Sequence, residues 1–431
     1  MTDTARALAV KCLVDCDMGA FSNLSFKQRT ERTGLGSQEI SFAAAIFYGT
    51  LERLITLDWI LAHFVGSKKL DREVRAILRS GLYQILYLDS VPAHAAVNES
   101  VSLCRVFKKS SASSLVNAVL RKARNFDLGL IGKIEDESER DSVKYSLCPE
   151  IVSLIKGEYP DDADRIMNGY FEHKTQYIRV NTLKMTADEA ITALAAENIT
   201  VQKTELDGCL EVTKGNVIGT KPFKNGAVRI QSLAAQTAVK ALDPQKGDTV
   251  VDLCSAPGGK ALTAAQLMSA QGKIYACDIS ESRLSLVASS SASEGALCIE
   301  TKVFDASADI AFVQADRVLC DVPCSNLGEI SSKPELRLRK PDGKLSEKQL
   351  EILNNAASFV KSGGTLVYCT CSIDRCENAE VAEKFLKDHT DFKPKSLSGL
   401  TTGISDGNYR IFMPGLTGSE GFFIATFERM C

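Results

Sequence analysis

An apolar run at residues 249–253 ends in Cys254-Ser255-Ala256-Pro257-Gly258-Gly259-Lys260, and helix-forming residues follow at once. A chain that turns this sharply after a buried strand and starts a helix behind the turn is confined to a few architectures. Four further short apolar runs, at 273–277, 301–304, 317–320 and 365–369, are separated by helical segments. Short buried strands joined by crossover helices predict a parallel, doubly wound α/β sheet.

The 431 residues are too many for this unit alone. Across residues 1–128, Ala, Leu and Val recur at helical spacing through 5–16, 39–64, 74–88 and 95–107. This predicts an all-helical bundle at 1–130. Residues 129–144 are acidic and polar and read as a linker. Residues 145–235 read as a small α+β module. Its strands are expected at 177–180, 201–206, 210–213 and 226–230, and Thr186 with Glu189 opens a helix through Leu194. The doubly wound domain then occupies 236–431.

Composition removes several classes. The most apolar early window, 40–51, is far short of the ~20 residues a membrane span needs. No secretory-type start opens the chain, so a cytoplasmic protein with reduced thiols is expected. The 14 cysteines are too sparse for a disulfide scaffold (~8–10% of residues). With no Cys-x-x-Cys pair and only His63, His94, His173 and His389, no metal site is expected. Net charge is −3, but residues 1–128 carry 17 Lys/Arg against 12 Asp/Glu. A basic first domain on an acidic body suits a polyanion, and equally an ordinary solvated surface.

The glycine turn at 254–260 lets a ligand approach the backbone at a helix N-terminus. Neither the P-loop spacing nor Gly-x-Gly-x-x-Gly is present, so a nucleoside is favoured over a dinucleotide or triphosphate. Asp278, at the end of the second strand, is placed to accept from ribose hydroxyls. Asp305 follows the third strand and serves either the ligand or a helix cap. These loops share the carboxyl edge of the sheet, and the set suits S-adenosylmethionine. The expected cofactor-binding residues are Cys254, Ser255, Ala256, Pro257, Gly258, Gly259, Lys260, Asp278, Arg283, Asp305 and Asp321. Lys260 serves either the ligand region or a helix-start surface.

The fourth strand ends in Asp321-Val322-Pro323-Cys324 and the fifth in Cys369-Thr370-Cys371-Ser372, so two thiols leave one edge on adjacent strands. Beside a methyl donor this pair has a chemical rationale. Carbon 5 of cytosine is too weak a nucleophile to attack a methyl sulfonium. A thiolate adding to carbon 6 makes carbon 5 nucleophilic. A second thiol then assists loss of the carbon 5 proton and expulsion of the first, while Asp321 holds the ring edge. Nitrogen methylation would need an Asp/Asn-Pro-Pro-Tyr/Phe loop, and here that place reads Val-Pro-Cys.

These segments resemble the cytosine-5 RNA methyltransferases, in Asp252-Leu253-Cys254-Ser255-Ala256-Pro257-Gly258-Gly259-Lys260, Asp321-Val322-Pro323-Cys324-Ser325 and Thr370-Cys371-Ser372. The resemblance implies Cys371 as nucleophile and Cys324 as release thiol, with Asp321 and Lys260 beside them. Arg179-Val180-Asn181-Thr182-Leu183-Lys184 resembles the family's small module. Val91-Pro92-Ala93-His94-Ala95-Ala96-Val97-Asn98-Glu99-Ser100 and Leu115-Val116-Asn117-Ala118-Val119-Leu120-Arg121 resemble a NusB-type RNA-binding domain, with His94 and Asn117 at helix ends or in packing. The whole architecture is similar to the bacterial small-subunit (16S) ribosomal RNA methyltransferases of the RsmB/Sun/Fmu type. The chain departs from the family at Ser232 (usually Asp), Ser331-Ser332 (usually a basic pair) and Glu420 (usually Asp), and lacks an aromatic after the Ser-x-Pro region at 146–149.

The expectation is a multidomain protein: an all-α NusB-like bundle, a small α+β module and a Rossmann-like methyltransferase domain. It would act as a monomer on small-subunit ribosomal RNA, making 5-methylcytosine from S-adenosylmethionine without a metal. Arg179, Asn181, Arg337, Arg339, Lys340 and Lys344 would contact phosphates. Two rivals remain: the same chemistry on transfer RNA, and a non-catalytic RNA-binding or ribosome-assembly factor.

Overall fold

A computed structural model describes residues 4–66, 69–172, 175–341, 343–397 and 399–431, so His173 lies outside the described residues. The chain forms two compact units, residues 1–163 with 330–341, and residues 164–329 with 342–431.

The first unit is helical. In its first helix, Ala5–Cys16, Thr4 caps the N-terminus, and Ala5, Ala7, Leu8, Ala9, Val10, Cys12 and Leu13 are buried, so neighbours cover the helix on most sides. The periodic stretch read at 39–64 is two helices, Ser37–Glu52 and Leu54–Val65, bent by 78° at Arg53. The bend lets both insert apolar faces into one core, where Phe47, Leu57 and Ile60 are fully buried. Among the described residues no single helix is long and apolar enough to cross a membrane.

The acidic stretch read as a linker contains a helix, Glu137–Tyr145. Asp136 caps it, and Glu137 and Glu139 sit in its first turn. Carboxylates there complement the free N–H groups of the helix start, so acidity marks a helix N-terminus rather than a solvated tether. Segment 330–341 also packs in this unit. Glu335 accepts from the Ser22 hydroxyl at 2.6 Å, and the fully buried Arg337 donates Nη1 to the Tyr145 carbonyl at 3.0 Å. Lys340 pairs with Glu150. Arg337 is thereby removed from the set read as phosphate contacts, because burial closes it to a polyanion; Arg339 and Lys344 are exposed.

The second unit opens with an antiparallel sheet of β1 (Gln176–Val180), β2 (Thr200–Lys203), β3 (Cys209–Lys214) and β4 (Val228–Ile230), in the order β2-β3-β1-β4. The capping box of Thr186 and Glu189 starts helix Ala187–Ala195, as its spacing predicts. Arg179 is 3% exposed, and its Nη2 lies 2.7 Å from Glu294 Oε2. Asn181 donates to the Glu294 carbonyl at 2.8 Å and to the Gly226 carbonyl at 2.9 Å. Both residues tie the small sheet to helix Glu281–Glu294, and neither is open to a phosphate.

The large sheet comprises β5 (Thr249–Asp252), β6 (Lys273–Asp278), β7 (Ile299–Val303), β8 (Ala315–Asp321), β9 (Val360–Thr370), β10 (Phe392–Pro394), β11 (Ile404–Asp406), β12 (Tyr409–Phe412) and β13 (Phe422–Arg429). Its order is β11-β12-β13-β9-β8-β5-β6-β7, with β10 on β13. Strands β5 to β9 pair in parallel, whereas β13 runs antiparallel to β9 and carries β12 and β10. The sheet is therefore mixed, where the sequence reading was of parallel strands. Helices Leu233–Leu242 and Gly259–Leu267 pack on one face, and Leu345–Ala357 and Ala379–Asp388 on the other. Ser232 caps Leu233–Leu242 by accepting from Ala235 N, a role that serine and aspartate share.

Replacing Glu294 by Gln keeps the shape but leaves the Arg179 guanidinium buried without its counter-charge. We expect a loss of ~3–5 kcal/mol in denaturant unfolding; a change below about 1 kcal/mol would show that the pair does not hold the small sheet in place.

Candidate active site

Strands β8 and β9 pair with Asp321 opposite Cys369, so both end level at the carboxyl edge of the sheet. Cys324 follows β8 and Cys371 follows β9, and their sulfurs lie 3.1 Å apart. Asn326, at φ +60°, accepts from the Cys371 thiol through Oδ1 at 3.1 Å and donates Nδ2 to the Cys324 carbonyl at 2.9 Å. The hydrogen bond to Cys324, then burial, holds the Cys371 thiol well above its ordinary pKa.

Lys260 reaches across from the first turn of its helix and places Nζ 2.5 Å from Asp321 Oδ2 and 5.3 Å over the Phe422 ring. Burial opposes its charge, but Asp321 outweighs burial and keeps the ammonium above its usual pKa. With its side chain 13% exposed, Lys260 is not a helix-start surface lysine.

A cavity of about 350 Å³ opens at this edge. Its wall includes Cys254, Ala256, Asp278, Arg283, Asp305 and Asp321, together with both thiols. Ser255, Pro257, Gly258, Gly259 and Lys260, read as cofactor-binding, are not among the residues that line the cavity. Gly258, at φ +102°, closes the turn by donating N–H to the Ser255 carbonyl, and a side chain there would press on Val287 at 3.0 Å. Asp278, 4% exposed, accepts from Ser280 N at 3.0 Å and pairs with Arg283 at 3.1 Å, while Arg283 also donates to the Ala256 carbonyl. Arg283 therefore orients the acid as well as lining the cavity. Asp305 lines the cavity and caps no helix: a turn follows it, and its carboxylate accepts from Ser307 Oγ and N, which hold it below the usual range.

Several wall residues escaped the sequence reading, Ala306 and Lys348 among them. Ile279, 69% exposed beside Asp278, offers an apolar shelf, and Ile352 from helix Leu345–Ala357 also lines the cavity. Asn326 had no signal beyond its place after Pro-Cys-Ser. A buried acid for hydroxyls beside an apolar shelf for a flat base fits a nucleoside.

Such room at the carboxyl edge of a doubly wound sheet, with no phosphate cradle, is the arrangement of S-adenosylmethionine-dependent methyltransferases. Residues 239–428 match the 16S rRNA methyltransferase RsmB/F family, 3–125 the NusB family, and 151–217 the ferredoxin-like domain of RsmF/B-like methyltransferases. The chain is 34% identical to the probable ribosomal RNA small subunit methyltransferase B of Bacillus subtilis, with 99% of each chain covered. It is 32% identical to ribosomal RNA small subunit methyltransferase B of Photorhabdus laumondii, over 90% of this chain and 89% of that one. The crystal structure of PH0851 superposes with a TM-score of 0.84 at 27% identity, each chain covered in full. NSun6 from Pyrococcus horikoshii, determined with SFG, an analogue of S-adenosylmethionine, shares the fold at a TM-score of 0.60 and 21% identity, over 65% of this chain and 98% of that one. The chain belongs to the RsmB/F family of 16S rRNA methyltransferases.

Asp252, at the end of β5, is buried with both carboxyl oxygens unpaired among the described residues, and burial pushes its pKa from 3.8 to about 7. Between those values the folded chain holds a proton that the unfolded chain releases, so stability falls as pH rises through this window. The difference corresponds to ~4 kcal/mol. Denaturant unfolding of wild type and Asp252→Asn between pH 4 and 8 should show this loss in wild type alone; parallel curves would remove Asp252 as its source.

Proposed function

We propose that this chain methylates carbon 5 of a cytosine in small-subunit ribosomal RNA through a covalent bond between Cys371 and carbon 6. The observation that carries the reading is the 3.1 Å separation of the Cys324 and Cys371 sulfurs on the wall of a nucleoside-sized cavity. The names of the relatives support the RNA class, and the two thiols support the target atom. We assign residues 1–130 and 145–235 to RNA binding and 236–431 to catalysis, in a cytoplasmic monomer. Thiols and carboxylates suffice for the proton transfers.

Asp278 and Asp305 would accept from the ribose hydroxyls of S-adenosylmethionine, with Ile279 against its base and the 254–260 turn closing the site. When bound, the cofactor supplies an electrophilic methyl group. The Cys371 proton moves to nitrogen 3 of the ring as the sulfur adds to carbon 6, and the ring electrons gather on carbon 5. Asp321, held by Lys260, grips the nitrogen 3 edge and favours this addition. After carbon 5 is methylated it carries both a methyl group and a proton. Carbon 5 is one bond from carbon 6, so a thiolate at Cys324 lies on hand to take that proton. The electrons of the broken carbon–hydrogen bond restore the ring double bond and expel Cys371.

Purified protein, labelled S-adenosylmethionine and unmodified, protein-free small-subunit ribosomal RNA should yield labelled 5-methylcytidine on nucleoside analysis. Label at another atom would overturn the reading, and label on transfer RNA alone would move the substrate. Cys371→Ala should abolish methylation while RNA binding persists. Cys324→Ala should slow turnover by roughly 10²–10⁴-fold and accumulate a protein–RNA adduct on a denaturing gel. Free protein alone in that lane would remove Cys324 from the release step.

A further inference from the structure

Behind the two thiols lies a buried polar cluster that this mechanism does not use. Glu377, in the turn Arg375–Glu377, is 4% exposed. Its Oε2 accepts from Ser325 N at 2.9 Å and from Gln349 Nε2 at 2.8 Å. Its Oε1 accepts from the Ser372 hydroxyl at 3.0 Å. Ser325 directly follows Cys324, and Ser372 directly follows Cys371. One carboxylate therefore grips the residue next to each thiol.

The surrounding bonds strengthen this grip. The Ser325 and Ser372 hydroxyls lie 2.9 Å apart. Ser372 has one proton and gives it to Glu377, so Ser325 is the donor between the two serines. Gln349 also donates to the Pro323 carbonyl at 2.9 Å, one residue before Cys324. Tyr368 donates to the Glu377 carbonyl, anchoring the clamp to β9. Burying a carboxylate is costly, and apolar packing would fill the same space. What apolar packing lacks is direction: hydrogen bonds from both ends of one rigid group fix the spacing of two turns.

We propose that Glu377 is a positioning residue that sets the separation of Cys324 from Cys371, and with it the reach of the release thiol to carbon 5. Its catalytic use rests on the covalent reading above. The clamp depends on the length of the side chain. Glu377→Gln keeps that length: its carbonyl oxygen accepts from Ser325 N and Gln349, its amide donates to Ser372, and the serine protons reverse direction. Glu377→Asp keeps the carboxylate but is one methylene shorter and does not span both turns.

The test pairs turnover with a probe of thiol spacing that needs no RNA. Phenylarsine oxide takes up two neighbouring thiols, forms two arsenic–sulfur bonds and releases water; Cys371→Ala protein gives the background from other cysteines. We expect Glu377→Gln to bridge like wild type and to keep kcat within tenfold. Glu377→Asp should bridge at least tenfold more slowly and lose about 100-fold in kcat, the cost of an ångström-scale misplacement, with KM for S-adenosylmethionine unchanged. Ser372→Ala, which removes one arm only, should show a smaller loss of both, and it serves if Glu377→Asp does not fold. Wild-type bridging in Glu377→Asp overturns the proposal, as does an equal loss in Glu377→Gln. Slowed bridging with turnover intact supports the spacing role and overturns the covalent reading instead.

Discussion

The parallel pairing of β8 with β9 places Asp321 opposite Cys369, and this register is the constraint on which the site depends. Slipping it by one residue would turn every side chain of one strand to the other face. Asp321 would then lose Lys260, and the turn carrying Cys324 would no longer meet the turn carrying Cys371. The register is held from both sides. β5 pairs with β8 in parallel, and β13 pairs with β9 antiparallel with Phe423 opposite Thr370. Val318, Leu366 and Phe427 are fully buried in the core between them. Packing on one side of the sheet thus fixes a chemical spacing at its edge.

The parts of the site visible in the sequence are those with local patterns. The turn at 254–260 announces itself by composition, and Asp278 and the two thiols by their place at strand ends. The antiparallel strands β10 to β13 announce themselves poorly. β11 and β12 are short and pair with each other across residues 407–408, and they join the sheet only because β13 pairs with β9 on one side and with β12 on the other. The helix Glu137–Tyr145 was obscured by acids whose role at a helix start looks, in sequence, like solvent exposure.

Charge is where sequence reading and structure diverge most. Arg179 and Arg337 resemble RNA contacts because a sequence shows a cation but not its counterpart. The counterpart of Arg179 is Glu294, 115 positions away. Arg337 finds a backbone carbonyl 192 positions away. Glu377 shows the same limit from the acidic side. In sequence it is one more glutamate in a polar turn, and only the fold brings it between Ser325 and Ser372. A buried charge reports on topology, and topology is what a single sequence encodes least locally.

The same geometry constrains when Cys371 becomes reactive. Its proton points at Asn326 Oδ1, an acceptor whose orientation is fixed because Nδ2 of the same amide donates to the Cys324 carbonyl. The neighbouring Cys324, then burial, raises the pKa of this thiol, and an acceptor for its proton likewise suits the thiol better than the thiolate. At rest Cys371 is therefore held in its protonated form. A base that enters beside Cys371 and displaces the thiol from Asn326 removes one of the contacts holding that proton. On the covalent reading, activation is thereby coupled to substrate entry, because the ring itself supplies the group that displaces the thiol from Asn326.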